Sequence, residues 1–124
     1  MKCIIAGSRT IIAYEAILQA MAQIRRFDWP SISEVVSGCA SGADQLGEVW
    51  AMRNDVPVRR FPANWSLYGR SAGMRRNEEM AAYVRSADPA GACLVLWDGK
   101  SRGAKHMFET AARYELRLHV EVID

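Results

Sequence analysis

Three stretches of the chain put cations where a helix would begin. Arg9 follows the run Lys2-Cys3-Ile4-Ile5-Ala6-Gly7, Arg70, Arg75 and Arg76 surround the start of a periodic segment at Ala72, and Ser101-Arg102-Gly103-Ala104-Lys105-His106 opens the last one. The free peptide N–H groups of a helix N-terminus carry roughly half a positive charge, so each exposed cation there costs about 0.3–1 kcal/mol. A bound phosphate reverses that sign, because N–H groups, helix dipole and side chains then face one anion. Any single Arg or Lys can swing into solvent. Three such starts together predict an anion site, with Arg9, Arg76, Ser101, Arg102, Gly103, Ala104 and Lys105 holding phosphate.

A fourth stretch, "SGCASGAD" from Ser37 to Asp44, is a small-residue loop that ends in a fixed negative charge. Ser41-x-x-Asp44 has the spacing of a capping box, which stabilises a helix start by about 1 kcal/mol without any ligand. The other reading turns Asp44 towards the pocket as an acceptor for a ribose hydroxyl or base amine. Gly7, Ser8, Gly38 and Gly42 belong to the same ribose and base end, because small residues let a ligand approach the backbone. Asn77 and Trp65 complete that set; the Trp65 ring either stacks on a base or packs beneath its loop. No GxGxxG follows the first strand and no GxxxxGK[ST] occurs, which disfavours an NAD-type site and a P-loop ATPase. No spacing assigns a catalytic group, a metal or a cofactor.

The elements that would position these loops alternate along the chain. Strands are expected at Lys2 to Ala6, Glu34 to Ser37, Pro57 to Phe61, Ala92 to Trp97 and Leu118 to Val122. Helices are expected from about Thr10 to Phe27, Gly42 to Asn54, Ala72 to Ser86 and Gly103 to Tyr114. On the first, Tyr14, Ile17, Leu18, Met21 and Ile24 recur at helical spacing. A polar, aromatic-containing loop spans Pro62 to Ser71. Such βα alternation predicts an α/β domain over residues 1–124, with a mainly parallel five-stranded sheet and helices on both faces. Ligands on these sheets bind at the carboxyl ends of the strands, where all four loops lie.

Length and composition narrow the classes. The 124 residues suffice for one core, and 50% hydrophobic with 24% charged residues is an ordinary globular balance. A net charge of +2 is too mild to argue for a nucleic-acid partner on charge alone, so any basic site must be local. With no signal-like start and no apolar run near ~18 residues, a cytoplasmic protein without a membrane partner is expected. Three cysteines without CxxC spacing support neither a disulfide framework nor a zinc site. Cys3 and Cys93 read as core residues; Cys39 is a small filler or a thiol activated by its helix start. The apolar strip Trp50-Ala51-Met52 leaves room for a homodimer.

The segments "IIAGSRT", "VVSGCASGADQLGE", "FPANWSLYGRSAGMRRNEEM" and "LWDGKSRGAKHM" together resemble the SLOG superfamily and, within it, the small single-domain YspA-like group. The resemblance covers almost the whole chain. It implies a Rossmann-like three-layer fold that binds a nucleotide or an ADP-ribose-like ligand, as a sensor or binding protein. The P-G-G-x-G-T-x-x-E motif of LOG-type phosphoribohydrolases is similar to "DGKSRGAKHM", which implies a nucleoside 5′-monophosphate N-glycosidase as the alternative. There Ala104 stands for the motif's threonine and Met107 for its glutamate, while Arg76 keeps the arginine of a companion R-K-x-x-M motif. The S-G-x-A-x-G-I-D segment of DprA resembles "SGCASGAD" and implies single-stranded nucleic-acid binding as a second alternative, which 16 basic against 14 acidic residues disfavours.

Overall fold

The computed structural model describes residues 1–124. Five strands, β1 (Lys2–Gly7), β2 (Glu34–Ser37), β3 (Val58–Arg60), β4 (Ala92–Trp97) and β5 (Arg117–Val122), pair in the order β3-β2-β1-β4-β5. Every pairing is parallel. The helices are α1 (Tyr14–Arg26), α2 (Ala43–Arg53), the single turn α3 (Trp65–Tyr68), α4 (Ala72–Arg85) and α5 (Arg102–Arg113). The arrangement is the Rossmann-like three-layer α/β fold.

Alternation along the central strands creates the layers. Cys3 and Ile5 of β1, Val35 of β2, and Ala92, Leu94 and Leu96 of β4 face one way, into a core built with Ile17, Met21 and Ile24 of α1 and Leu46 of α2. Ile4 and Ala6, Val36, and Cys93 and Val95 face the other way, onto Met80 and Val84 of α4 and Met107 and Ala111 of α5. Both faces of β1 and β4 are therefore covered, which is why these strands read as near-continuous apolar runs.

The helix boundaries differ from the sequence expectation in informative places. Helix α1 begins at Tyr14 rather than Thr10, because the Thr10 hydroxyl donates to Asp98 (2.9 Å) and the Ile11 N–H to the Ser8 carbonyl (3.3 Å). The β-branched run Thr10-Ile11-Ile12 has little to lose by leaving the helix. Leu18, expected on the apolar face, is 49% exposed. The Pro62 to Ser71 segment is not a plain loop: it carries α3, whose Leu67 N–H is capped by Asn64 (3.1 Å), and a 3₁₀ turn at Gly69–Ser71. Of the strip Trp50-Ala51-Met52, Ala51 is fully buried and Trp50 leans on the core, so Met52 alone is presented outward. Cys3 and Cys93 are buried, whereas Cys39 is exposed in the left-handed region (φ 65°). Burial of its sulfur and the nearby Glu48 carboxylate push the Cys39 thiol up, the opposite of activation. No helix is long and apolar enough to cross a membrane.

Candidate functional site

Strand order reverses between β1 and β4, and a crevice opens outside their carboxyl ends. A cavity of about 540 Å³ fills it, bounded by the loops after β1 and β4, the start of α2, α3 and the first turns of α4 and α5. Its charged lining consists of Arg9, Arg70, Arg76 and Lys100 against Asp44 and Asp98. Arg9, Arg70 and Lys100 make no ion pair within the protein.

The floor of the crevice is tied by Ser8 and Asp98. The buried Ser8 hydroxyl accepts from the Asp98 N–H (3.0 Å), and its carbonyl accepts from Ala43 (3.1 Å). One carboxylate oxygen of Asp98 accepts from the Lys100 and Ser101 amides (2.9 and 2.8 Å), the other from Thr10 (2.9 Å). The Ser101 and Lys100 amides, followed by the Thr10 hydroxyl, lower its pKa to about 2, so Asp98 is a fixed anion. This turn aims α5: Ser101 caps it through Ala104 N–H (3.3 Å), and Trp97 Nε1–H holds the Ser101 carbonyl (3.0 Å).

Arg76 forms the opposite wall. It reaches from α4 across to the loop after β2, where its Nη1–H donates to the Gly38 carbonyl; its Nε–H donates to Asn77 Oδ1 (2.9 Å). Its Nη2 makes no hydrogen bond within the protein. Gly38 makes this approach sterically feasible, since a Cβ there would lie 2.6 Å from Nη1 and 2.9 Å from an Asp44 carboxylate oxygen. Burial lowers the Arg76 pKa from its ordinary value, and the Asp44 charge opposes that shift.

Asp44 lies in the first turn of α2, only 3% exposed. The capping box does not form. The N-cap is Gly42 in a left-handed conformation (φ +79°) with no side-chain cap, and Ser41 is exposed. Gly42 packs on the Arg9 backbone so closely that a Cβ would lie 2.5 Å from the Arg9 carbonyl oxygen. That turn swings Asp44 inward, where it accepts from the Ala40 N–H (3.2 Å). Burial raises its pKa to about 6, against the opposing Ala40 amide and Arg76 charge. Asp44 and Arg76 thus meet over Gly38 without a direct ion pair.

Comparison with known proteins identifies the family. The family described as "YspA, cpYpsA-related SLOG family" matches residues 1–68. The chain belongs to that family. It is also 32% identical over 118 residues to the Gene 61 protein of Mycobacterium phage D29, covering 90% of this chain and 89% of the phage protein. No solved structure matches it. The SLOG family match ends in α3, so it contains Arg9, Gly38, Asp44 and Trp65, whereas Arg76 and the Asp98 to Ala104 wall lie beyond it.

Within this SLOG chain, the crevice gathers Gly7, Arg9, Asp44, Trp65, Arg76, Asn77, Ser101, Gly103 and Ala104. Gly38 stands behind Arg76, Gly42 behind Arg9, and the Ser8 hydroxyl is buried on Asp98. The side chains of Arg102 and Lys105 are exposed and off the cavity wall, because α5 turns them outward from its first turn. Glu78, on α4, is engaged by Arg113. Sequence reading did not assign Thr10, Met74, Lys100 or His106 a place. The signal for Lys100 was the Asp98-Gly99 pair, since an aspartate followed by glycine commonly folds back on amides two residues on.

Proposed function

We propose that the crevice binds a nucleotide or a nucleotide-derived, ADP-ribose-like ligand, and that the protein acts as a sensor or binding protein for it. The observation that carries this reading is Arg76, anchored at Nη1 and Nε while its Nη2 remains free at a cavity that also holds Arg9, Arg70 and Lys100. A guanidinium fixed in advance loses little entropy on taking up a phosphate oxygen. The phosphate end lies between Arg76, Arg9 and the α5 start at Ser101, Gly103 and Ala104. The sugar and base lie towards Asp44 and the Trp65 ring, which is 52% exposed at the cavity and free to stack.

One observation favours a second reading, N-glycoside hydrolysis. The two cavity carboxyls have environments that push them apart, Asp44 up to about 6 and Asp98 down to about 2, the pattern of an acid and an anion sharing a site. Asp44 would move the proton and Asp98 would stabilise positive charge at the sugar carbon.

Thermal shift with AMP, ADP and ADP-ribose, paired with an assay for released base, separates the readings. Saturation at about 100 times Kd adds about 2.7 kcal/mol of stability. Stabilisation without base release supports the binder, and base release lost in Asp44→Asn supports the hydrolase. A flat response to all three ligands, with salt-sensitive oligonucleotide binding, overturns both.

A further inference from the structure

Arg76 does not hold its position alone. Its single Nε–H points at Asn77 Oδ1, which fixes the orientation of that buried amide: a flipped Asn77 would set NH₂ against N–H. The Asn77 Nδ2 group must therefore donate to His106 Nδ1, 3.0 Å away on α5. His106 Nδ1 can accept only with its lone pair, so this contact requires the tautomer that carries its proton on Nε2, which faces Thr110 Oγ1 at 3.5 Å. Thr110 is fully buried and also accepts from Arg113 Nη2 (3.1 Å), itself paired with Glu78. Donor meets acceptor at every step only for one tautomer of His106.

We propose that His106 is a positioning residue for Arg76: acting through Asn77, it holds the guanidinium in the crevice, which requires that Nδ1 be the acceptor. The affinity arm of this inference rests on the ligand reading above, whereas the structural arm does not. An N–H at Nδ1 would face the Asn77 NH₂, and flipping Asn77 to satisfy His106 would deprive the Arg76 Nε–H of its acceptor. No arrangement of the amide serves both neighbours. Charged groups reach the ring's two partners rather than the ring: Arg76 bonds Asn77, and Arg113, paired with Glu78, bonds Thr110. His106 thus lets α5 govern a cationic group of the site without touching a ligand.

The test uses the full chain, isotope-labelled for NMR. Wild-type His106 is expected as the Nε2–H tautomer, with the Arg76 Nε–H signal protected from exchange with water. His106→Ala removes the acceptor: the Arg76 signal should broaden into exchange, and Kd for ADP-ribose should rise about tenfold, as for a lost hydrogen bond to a charged group. His106→Asn, whose side-chain oxygen can take the place of Nδ1 and does not titrate, should restore both. An Arg76 signal still protected in His106→Ala, or a proton on Nδ1 of the wild-type ring, overturns the proposal. Should ADP-ribose fail to bind while the Arg76 signal follows this pattern, the positioning role stands and the ligand reading falls.

Discussion

Asp44→Asn should stabilise the free protein at neutral pH, against the usual expectation for removing a hydrogen-bonded charge. The buried carboxyl titrates at about 6 rather than 3.8. At 1.36 kcal/mol per unit, this difference of about 2 units means that keeping Asp44 ionised costs about 3 kcal/mol above pH 6. The sign follows from proton counts: between pH 4 and 6 the native state holds a proton that the unfolded chain has released, so stability falls as pH rises through that window. Asparagine removes the charge, and its oxygen can keep the Ala40 amide. Its NH₂ loses the second favourable amide, that of Gly7, at about 1 kcal/mol. A net gain of about 2 kcal/mol remains, which is about 8 °C in melting temperature for a chain of this length. Urea unfolding of both proteins from pH 4 to 8 should give curves that nearly meet at pH 4 and separate above pH 6. A separation independent of pH, or a less stable variant at pH 7.5, would refute the claim that Asp44 is held ionised at a cost. AMP and ADP-ribose should bind the variant more weakly, since the site would lose the group for which stability was given up.

Three further substitutions probe the walls. Gly38→Ala should weaken ADP-ribose binding about tenfold by calorimetry, because the new Cβ would lie 2.6 Å from Arg76 Nη1 and the flexible guanidinium must leave the Gly38 carbonyl. Gly103→Ala should raise stability by about 0.5–1 kcal/mol in denaturant titrations, since no atom lies within 4 Å of the added Cβ, while reducing affinity for a ligand seated on α5. Joint replacement Arg102→Glu and Lys105→Glu should raise unfolding free energy at low salt by about 0.3–1 kcal/mol per site, read by urea titration, with ADP-ribose affinity changed less than threefold. A large loss of affinity in that pair would bring their side chains into the site.

The architecture was legible because β1 and β4 are buried on both sides, and such strands announce themselves as apolar runs between amphipathic helices. The cationic helix starts were legible for a similar reason, as local departures from a local rule. What sequence spacing misjudged were the places where a distant backbone decides the conformation. Ser41-x-x-Asp44 has the spacing of a capping box, yet Gly42 meets the Arg9 backbone in a left-handed turn and Asp44 is drawn to Ala40 instead. Arg102 and Lys105 share a helix start with Ser101 and Gly103, but helical rotation parts them from the crevice. His106 lies 29 residues from Asn77, and nothing in either neighbourhood says that one amide must satisfy a guanidinium and an imidazole together. That condition is a property of two packed helices. It also identifies where substitution should be most informative: Arg76 is held by the Gly38 carbonyl of the loop after β2 and by Asn77, which in turn meets His106 of α5, so under the proposed reading a change at His106 should alter affinity while every residue lining the crevice stays the same.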